Sequence, residues 1–403
     1  MNIRPCRGRG LPEPRSRIVA MAPNPWDGPW MNRHQLLSRL ASRHAIIYTQ
    51  GLFHTSELWS ERWRDSPFGG RIAQRNGLWV DRPPRWLLRN FRSTTLDGTA
   101  RRLGARRWTG ALKHWRNHPL VAYVFHPMFW PYVDALQPAF LVYHAYDLFC
   151  RMPSWEQADA DDERALLRRA DLSLASSEMT AAVLTARGGR PVRVLPNAVD
   201  YNAFAHPQPL PGHLQAELDA IPHPRIGYIG RLSMKVDLPL IAALAARHRD
   251  WQFVLIGGMA PLDAYTRAGL ANCRQLKNVI LLGHRHPQTL PGYARAMDVN
   301  ALFYRLDGAT WADACDPLKL YEYLAAGQPV VGSAIPGLKA FSDVVWLVRS
   351  LEDWQRALHG SLAGNGAGTS EQRLAVAHRN DWWNRVDTLN GLLNDMFMAP
   401  RQL

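Results

Sequence analysis

The stretch Asp316-Pro317-Leu318-Lys319-Leu320-Tyr321-Glu322-Tyr323-Leu324-Ala325-Ala326-Gly327-Gln328-Pro329-Val330-Val331 constrains the chain more than any other, because it writes a helix with both ends marked. Asp316 is a good N-cap, Pro317 suits the first helical position, and Gly327 suits the left-handed residue that stops a helix. At helical spacing Lys319, Glu322 and Ala326 share a face, while Leu320 and Leu324, with Tyr321 or Ala325, are free to point inward. The N-terminus of a helix attracts anions through its unpaired N–H groups and dipole, so a phosphate can sit over the first turn while Glu322, one turn in, accepts from hydroxyls. Spacing alone leaves a second reading open, in which Lys319 and Glu322 pair on a solvated face for roughly 0.2–0.5 kcal/mol.

At 403 residues the chain exceeds what one hydrophobic core normally serves, so two domains are expected, and 47% hydrophobic content belongs to a packed protein. Cys6, Cys150, Cys273 and Cys315 lie far apart with no Cys-x-x-Cys spacing or histidines at metal-ligand intervals, and read as reduced thiols. No apolar run approaches the roughly 20 residues of a membrane span, and residues 1–17 lack the apolar core of a secretion signal. The expected location is the cytoplasm, extending to the inner face of the membrane.

The net charge of +14 is uneven. Residues 1–120 hold 22 Lys and Arg against 7 Asp and Glu, which is +15; the remainder hold 26 against 27, which is −1. Such an excess attracts an anionic membrane surface, an anionic glycan or nucleic acid, and arginine-rich solvated surface explains it as well. Nucleic acid accounts for the charge but for none of the motifs, so no specific nucleic-acid partner is expected.

Taken in order, residues 1–16 form a basic, Pro- and Gly-rich extension. Arg17-Ile18-Val19-Ala20-Met21-Ala22 reads as a buried strand. A loop with Asp27, Gly28 and Trp30 follows, then a helical pattern from Asn32 to Arg43 and a strand at Ala45-Ile46-Ile47-Tyr48. This is the opening of a parallel α/β domain, whose binding crevice lies at the carboxyl ends of its strands. No GxGxxG is present to mark a dinucleotide site. Residues 51–120 are Arg- and Trp-rich and weakly periodic, with Trp59, Trp63, Trp79, Trp86, Trp108 and Trp115 either in the core of two or three helices or on an acceptor- or membrane-facing surface. Two later strands end at His126 and His144, where histidines would face the crevice, although a strand-end histidine is more often structural.

Pro196-Asn197-Ala198-Val199-Asp200 reads as a turn, and the Pro-rich segment 206–223 as a linker. A strand at 224–229 then runs into Gly230-Arg231-Leu232-Ser233-Met234-Lys235, where glycine lets the backbone approach a ligand and two cations stand at a strand-to-helix junction suited to phosphate. Further strands end at Gly257 and at His284-Arg285. The glycine cluster at 364–368 reads as a linker, and residues 381–397 as an amphipathic helix with Trp382, Val386, Leu389 and Leu393 on its apolar face.

The 317–331 string, the Gly-Arg-Leu at 230–232 with Lys235, and the Pro-Asn-Ala-Val-Asp at 196–200 resemble the signatures of retaining, family-4-like glycosyltransferases with the GT-B fold, the glycosyl transferases group 1. The resemblance implies an α/β class with two Rossmann-like domains facing a cleft. Residues 17–205 would be the acceptor domain, 206–223 the linker, 224–375 the nucleotide-sugar donor domain, and 376–403 a helix crossing back to the first domain. It places Gly230, Arg231, Lys235, Gly257, His284, Arg285, Asp316, Pro317, Leu318, Lys319 and Glu322 around the donor, with Glu322 on the ribose and the turn at His284 and Arg285 framing the base. Asp27, Gly28, Trp30 and His126 fall to the acceptor, and His144, Arg231 and Lys235 to catalysis. Ala314, eight positions before Glu322, stands where the family usually has a second glutamate on the donor sugar, leaving Asp313 or Asp316 as substitutes.

The implied reaction moves a sugar from a nucleotide-sugar to a glycan or lipid-linked acceptor in cell-surface polysaccharide biosynthesis, with retention. Cations and helix N–H groups replace a metal, and no cofactor is expected. Asp159-Ala160-Asp161 lies at a helix start and reads as charged surface. A nucleotide-sugar epimerase of the same fold and a non-catalytic nucleotide-sugar-binding protein are the alternatives.

Overall fold

A computed structural model describes residues 14–89, 94–152, 154–308 and 310–399. The chain divides into two units, one running to Leu195 and taking in the residues from Val386 onward, the other Pro196–Arg385.

The first unit is built on a sheet whose strands lie in the order Arg193–Val194, Leu172–Ala175, Phe140–Ala145, Leu120–Val124, Arg17–Met21, Ala45–Thr49, Leu78–Arg82 and Arg71–Arg75. All neighbours are parallel except the last pair. The central strand reads as an unbroken apolar run because helices cover both of its faces: Ile18, Val19, Ala20 and Met21 are all fully buried. In register, Ile18 lies beside Ile46 on one side and Val121 on the other. The second unit has a six-stranded, all-parallel sheet in the order Val279–Gly283, Gln252–Ile256, Arg225–Ile229, Val299–Leu302, Val330–Ser333 and Trp346–Val348. Each unit therefore has the Rossmann-like, doubly wound character that puts ligands at the carboxyl ends of its strands.

Three expectations require correction. The Arg- and Trp-rich segment contains, besides the helix Thr94–Ala111, a β-hairpin in which Arg71–Arg75 pairs with Leu78–Arg82. Asn76 and Gly77 turn it with φ of 48° and 84°, the positive angles that an Asn-Gly hairpin turn requires. Of its tryptophans, Trp79 and Trp108 are core, Trp63 and Trp115 half-buried, and Trp59 and Trp86 exposed. The segment 206–223 is not an open linker, because helix Gly212–Asp219 folds there with Leu218 fully buried. The glycine cluster at 364–368 is a short turn between helices Leu351–Leu362 and Ser370–Arg379.

In the last helix, Trp382–Met398, the apolar series Trp382, Val386, Leu389 and Leu393 is buried as its spacing requires. Within the first unit Asn390 Oδ1 lies 3.0 Å from His44 Nε2, and Phe397 packs edge-on against Phe140. The basic extension falls outside the described residues up to position 13.

Candidate functional site

Two strands of the second sheet end in glycine. Gly230 follows Arg225–Ile229 with φ of 146°, and Gly257 follows Gln252–Ile256 with φ of 150°. At Gly257 space demands glycine as strongly as the backbone angle does, whereas at Gly230 an added side chain would displace the end of Lys319. A Cβ on Gly257 would lie 2.2 Å from the Gly230 carbonyl oxygen, and one on Gly230 would lie 2.1 Å from Lys319 Cε. Lys319 is thereby laid across the end of a central strand, its ammonium 5.3 Å from the Tyr228 ring centroid and 5.8 Å from that of Tyr304. Tyr323 holds the helix Leu318–Ala326 in this position: its hydroxyl accepts from the Ile229 N–H at 2.7 Å and donates to the Ile229 carbonyl at 3.3 Å.

Pro317, not Asp316, is the N-cap, and no side chain caps the helix, so the N–H groups of Leu318 and Lys319 are left open. Asp316 is occupied otherwise. Its carboxylate accepts from the Asn197 N–H at 2.5 Å and from the Tyr321 hydroxyl at 2.9 Å, while its carbonyl accepts from the Asn197 side-chain amide at 2.6 Å. Burial raises its pKa to about 6 against those bonds. Asp316 therefore ties the helix start to the turn at residues 196–200, a positioning task rather than the donor contact expected of it.

Lys319 and Glu322 do not form the surface ion pair that their spacing allows. Both are half-buried, and neither makes a hydrogen bond or an ion pair among the described residues. Burial lowers Lys319 to about 8, opposed by the Glu322 charge and assisted by Lys235. Burial likewise raises Glu322 to about 7, with Lys319 pulling it back. Lys235 Nζ lies 3.0 Å from Cys315 Sγ and 4.4 Å from the Trp311 ring centroid, and Arg231 is exposed beside Gly230.

A cationic rim, one recessed carboxylate and an open helix terminus thus meet at the strand ends, an arrangement suited to a diphosphate next to a diol. His284 is exposed just past Val279–Gly283. Arg285 is removed from the group: its Nη2 reaches both Glu217 oxygens at 2.7 and 2.5 Å and its Nε the Tyr293 hydroxyl at 3.1 Å, which fastens this turn to helix Gly212–Asp219. Ala314 is buried and carries no group that could reach a sugar.

In the first unit, the sequence-expected residues divide. Asp27 is exposed and pairs with Arg82 at 3.0 Å, Gly28 closes a tight turn on Pro25, and Trp30 stacks on His34 with ring centroids 5.8 Å apart. His126 caps the turn Pro127–Phe129 by accepting from the Met128 N–H at 3.2 Å, and burial lowers its pKa to about 4. His144 was expected to open onto a crevice, yet it is only 1% exposed. Its Nδ1 lies 2.9 Å from the Tyr123 hydroxyl, its Nε2 has no partner, and burial followed by the charge of Arg33 lowers it to about 3. The ring is neutral and enclosed.

Sequence reasoning passed over Arg33, the second residue of helix Asn32–Leu40, because nothing in a helical arginine's spacing announces burial. It also passed over Cys315, Trp311 and Tyr323, whose parts depend on contacts across the fold.

Residues 223–363 match the family profile described as Glycosyl transferases group 1. A Bacillus subtilis (strain 168) protein, provisionally named teichuronic acid biosynthesis glycosyltransferase TuaH, is 29% identical over 232 residues, which cover 55% of this chain and 56% of that protein. The chain thus spans about half the length of the curated relative it matches. Among solved structures, HepE of Anabaena in complex with UDP and glucose superposes with a TM-score of 0.68 at 16% identity, covering 94% of this chain and 100% of the other. Sucrose-phosphate synthase from Thermosynechococcus elongatus gives 0.69 at 16% identity, covering 96% and 100%. At such identity the likeness shows the fold, which is GT-B.

Proposed function

We propose that this chain, which over residues 223–363 belongs to the group-1 glycosyl transferases, is a glycosyltransferase that moves a sugar from a nucleoside-diphosphate sugar to a glycan or lipid-linked acceptor in cell-surface polysaccharide biosynthesis. The observation that carries this reading is the recessed Glu322 and Lys319, which make no hydrogen bond or ion pair among the described residues, beside an uncapped helix end over Gly230. A carboxylate held half-buried without a hydrogen bond is unfavourable unless a ligand hydroxyl completes it. Glu322 holds the ribose, while Arg231, Lys235, Lys319 and the first helical N–H groups take the charge that develops on the departing diphosphate. In this reading those cations do the work a metal ion does elsewhere. His144, with its free Nε2, is assigned to the donor sugar by resemblance, as Asp27, Gly28, Trp30 and His126 are to the acceptor. Retention of configuration also rests on resemblance, and NMR of the anomeric product decides it.

The test is incubation of the full chain with a panel of nucleotide-sugars, starting from UDP-glucose because a structural relative is seen with UDP and glucose. Release of nucleoside diphosphate marks a transferase, inversion at C2 an epimerase, and binding without turnover a non-catalytic protein.

The proposal extends to the cytoplasmic face of a membrane. Among the described residues no helix is long and apolar enough to cross one. The first unit, however, exposes Trp59 (69%), Phe68 (73%) and Trp86 (55%) within one braced segment. The bracing comes from Ser66 Oγ donating to the Pro83 carbonyl at 2.6 Å, the Arg85 N–H to Phe68 at 3.2 Å, and the Trp63 indole to Arg85 at 3.2 Å. Residues 57–111 carry 12 Lys and Arg against 5 Asp and Glu. Exposed indoles amid arginines suit the head-group level of an anionic leaflet.

A further inference from the structure

Among the described residues Arg33 has a buried positive charge and no counter-ion. It is 0% exposed, and no carboxylate of those residues pairs with it. Its Nη2 bonds to Asn24 Oδ1 and lies 2.8 Å from Met31 Sδ, its guanidinium carbon stands 4.4 Å from the Tyr146 ring centroid, and the Tyr48 and Tyr146 hydroxyls take some hydrogen bonding from it, while its Nε and Nη1 find no well-aligned acceptor. The groups near enough to feel its charge are His34, Tyr48, His126, His144 and Tyr146, and none supplies a negative charge. Burial keeps the histidines neutral by lowering them and the tyrosines neutral by raising them.

Alongside lies a second orphan, the buried Nε2 of His144. Unpaired polar atoms of an arginine and a histidine therefore lie at the carboxyl ends of strands Arg17–Met21, Ala45–Thr49, Leu120–Val124 and Phe140–Ala145, where a parallel sheet presents its ligands. Protein cores do not ordinarily retain a lone guanidinium; they pair it or replace it.

We infer that Arg33 is the anchor of an oxyanion-binding site in the first unit, and that the molecule it receives carries a phosphate or carboxylate beside its sugar hydroxyls. The inference rests on the reading of this unit as the acceptor half and narrows that acceptor to an anionic one. The open Nε and Nη1 each offer an oxyanion a single charge-assisted hydrogen bond, and the bidentate edges of the guanidinium become available once Nη2 is freed. Entry requires the segment 23–31 to shift, since Asn24 and Met31 hold Nη2 from that side.

The test compares the full-length wild type with Arg33→Met, Arg33→Lys and Glu322→Gln by thermal unfolding and calorimetry, with inorganic phosphate in one arm and glucuronate in the other, and UDP present throughout both. At least one anion should raise the Tm of wild type and of Glu322→Gln. The affinity should fall by roughly tenfold or more in Arg33→Met and partly recover in Arg33→Lys. Without anion, Arg33→Met should melt about 3 °C higher than wild type, because an uncompensated charge has gone. The inference is overturned if neither anion shifts the wild type, if the shift survives in Arg33→Met, or if that variant melts lower. UDP binding measured separately in Arg33→Met and Glu322→Gln reports on the donor reading, so the two can fail independently.

Discussion

The two units solve the same problem at the carboxyl ends of parallel strands with opposite means. In the second, charge is kept at a half-buried rim: Arg231 is exposed, Lys319 and Glu322 are recessed beside one another, and two glycines clear the space over which they lie. In the first, one arginine is wholly enclosed among neutral histidines and tyrosines. The contrast teaches that a half-buried rim can hold opposite charges in readiness because each partly offsets the other's burial, whereas an enclosed lone charge depends on what is brought to it.

The sharpest way to break the comparison is at the glycines. Gly257→Val forces a side chain into the Gly230 carbonyl at a φ that β-branched residues avoid, and should destabilise the second unit by about 3–4 kcal/mol and abolish nucleotide binding, read by denaturant unfolding and calorimetry. A variant that unfolds with the wild type would show that the strand ends are not tightly joined.

Next in size is Glu322→Ala, which should weaken UDP binding by about 10- to 100-fold while moving Tm little, because the carboxylate contributes to no hydrogen bond among the described residues. Equal UDP affinity in the two proteins would remove the ribose assignment.

The surface of the first unit offers a milder test. Replacing Trp59, Phe68 and Trp86 together by serine should reduce sedimentation with phosphatidylglycerol vesicles by roughly tenfold without altering turnover of a soluble acceptor. Undiminished sedimentation would leave the arginines alone responsible.

The smallest effect is in pH. Glu322 has a folded pKa of about 7 against an ordinary 4.5, so the native state holds its proton more tightly than the unfolded chain does. Its contribution is complete below about 4.5 and is lost as pH rises through 7, the reverse of a salt-bridged carboxylate. Glu322→Gln should therefore flatten the fall in stability across that window by roughly 1 kcal/mol. An unchanged slope would mean that Asp316, raised to about 6 with the same sign, carries it alone.

Much of the second unit was legible because its signals are local. Gly230, Gly257 and Gly327 adopt the positive φ that only glycine takes readily, and the 317–331 string names its own helix to within a residue. Asp316 was misjudged because an N-cap assignment considers only the next few residues, whereas its carboxylate is held by Asn197, 119 positions away. The Asn76-Gly77 hairpin was readable in principle, but arginines and tryptophans on both sides obscured the alternation that would have revealed it.

What the sequence determined by itself is the alternation of strands and helices outside residues 51–120 and 206–223, the glycine-lined strand ends and the cationic first half, since periodicity, backbone freedom and charge are properties of neighbours along a chain. Only the tertiary structure decided that Arg285 is held by Glu217, that His144 is enclosed, and that Arg33 is buried with no counter-ion among the described residues. Burial and pairing depend on residues far apart in sequence meeting in space, and an arginine's letter is the same whether water or a core surrounds it.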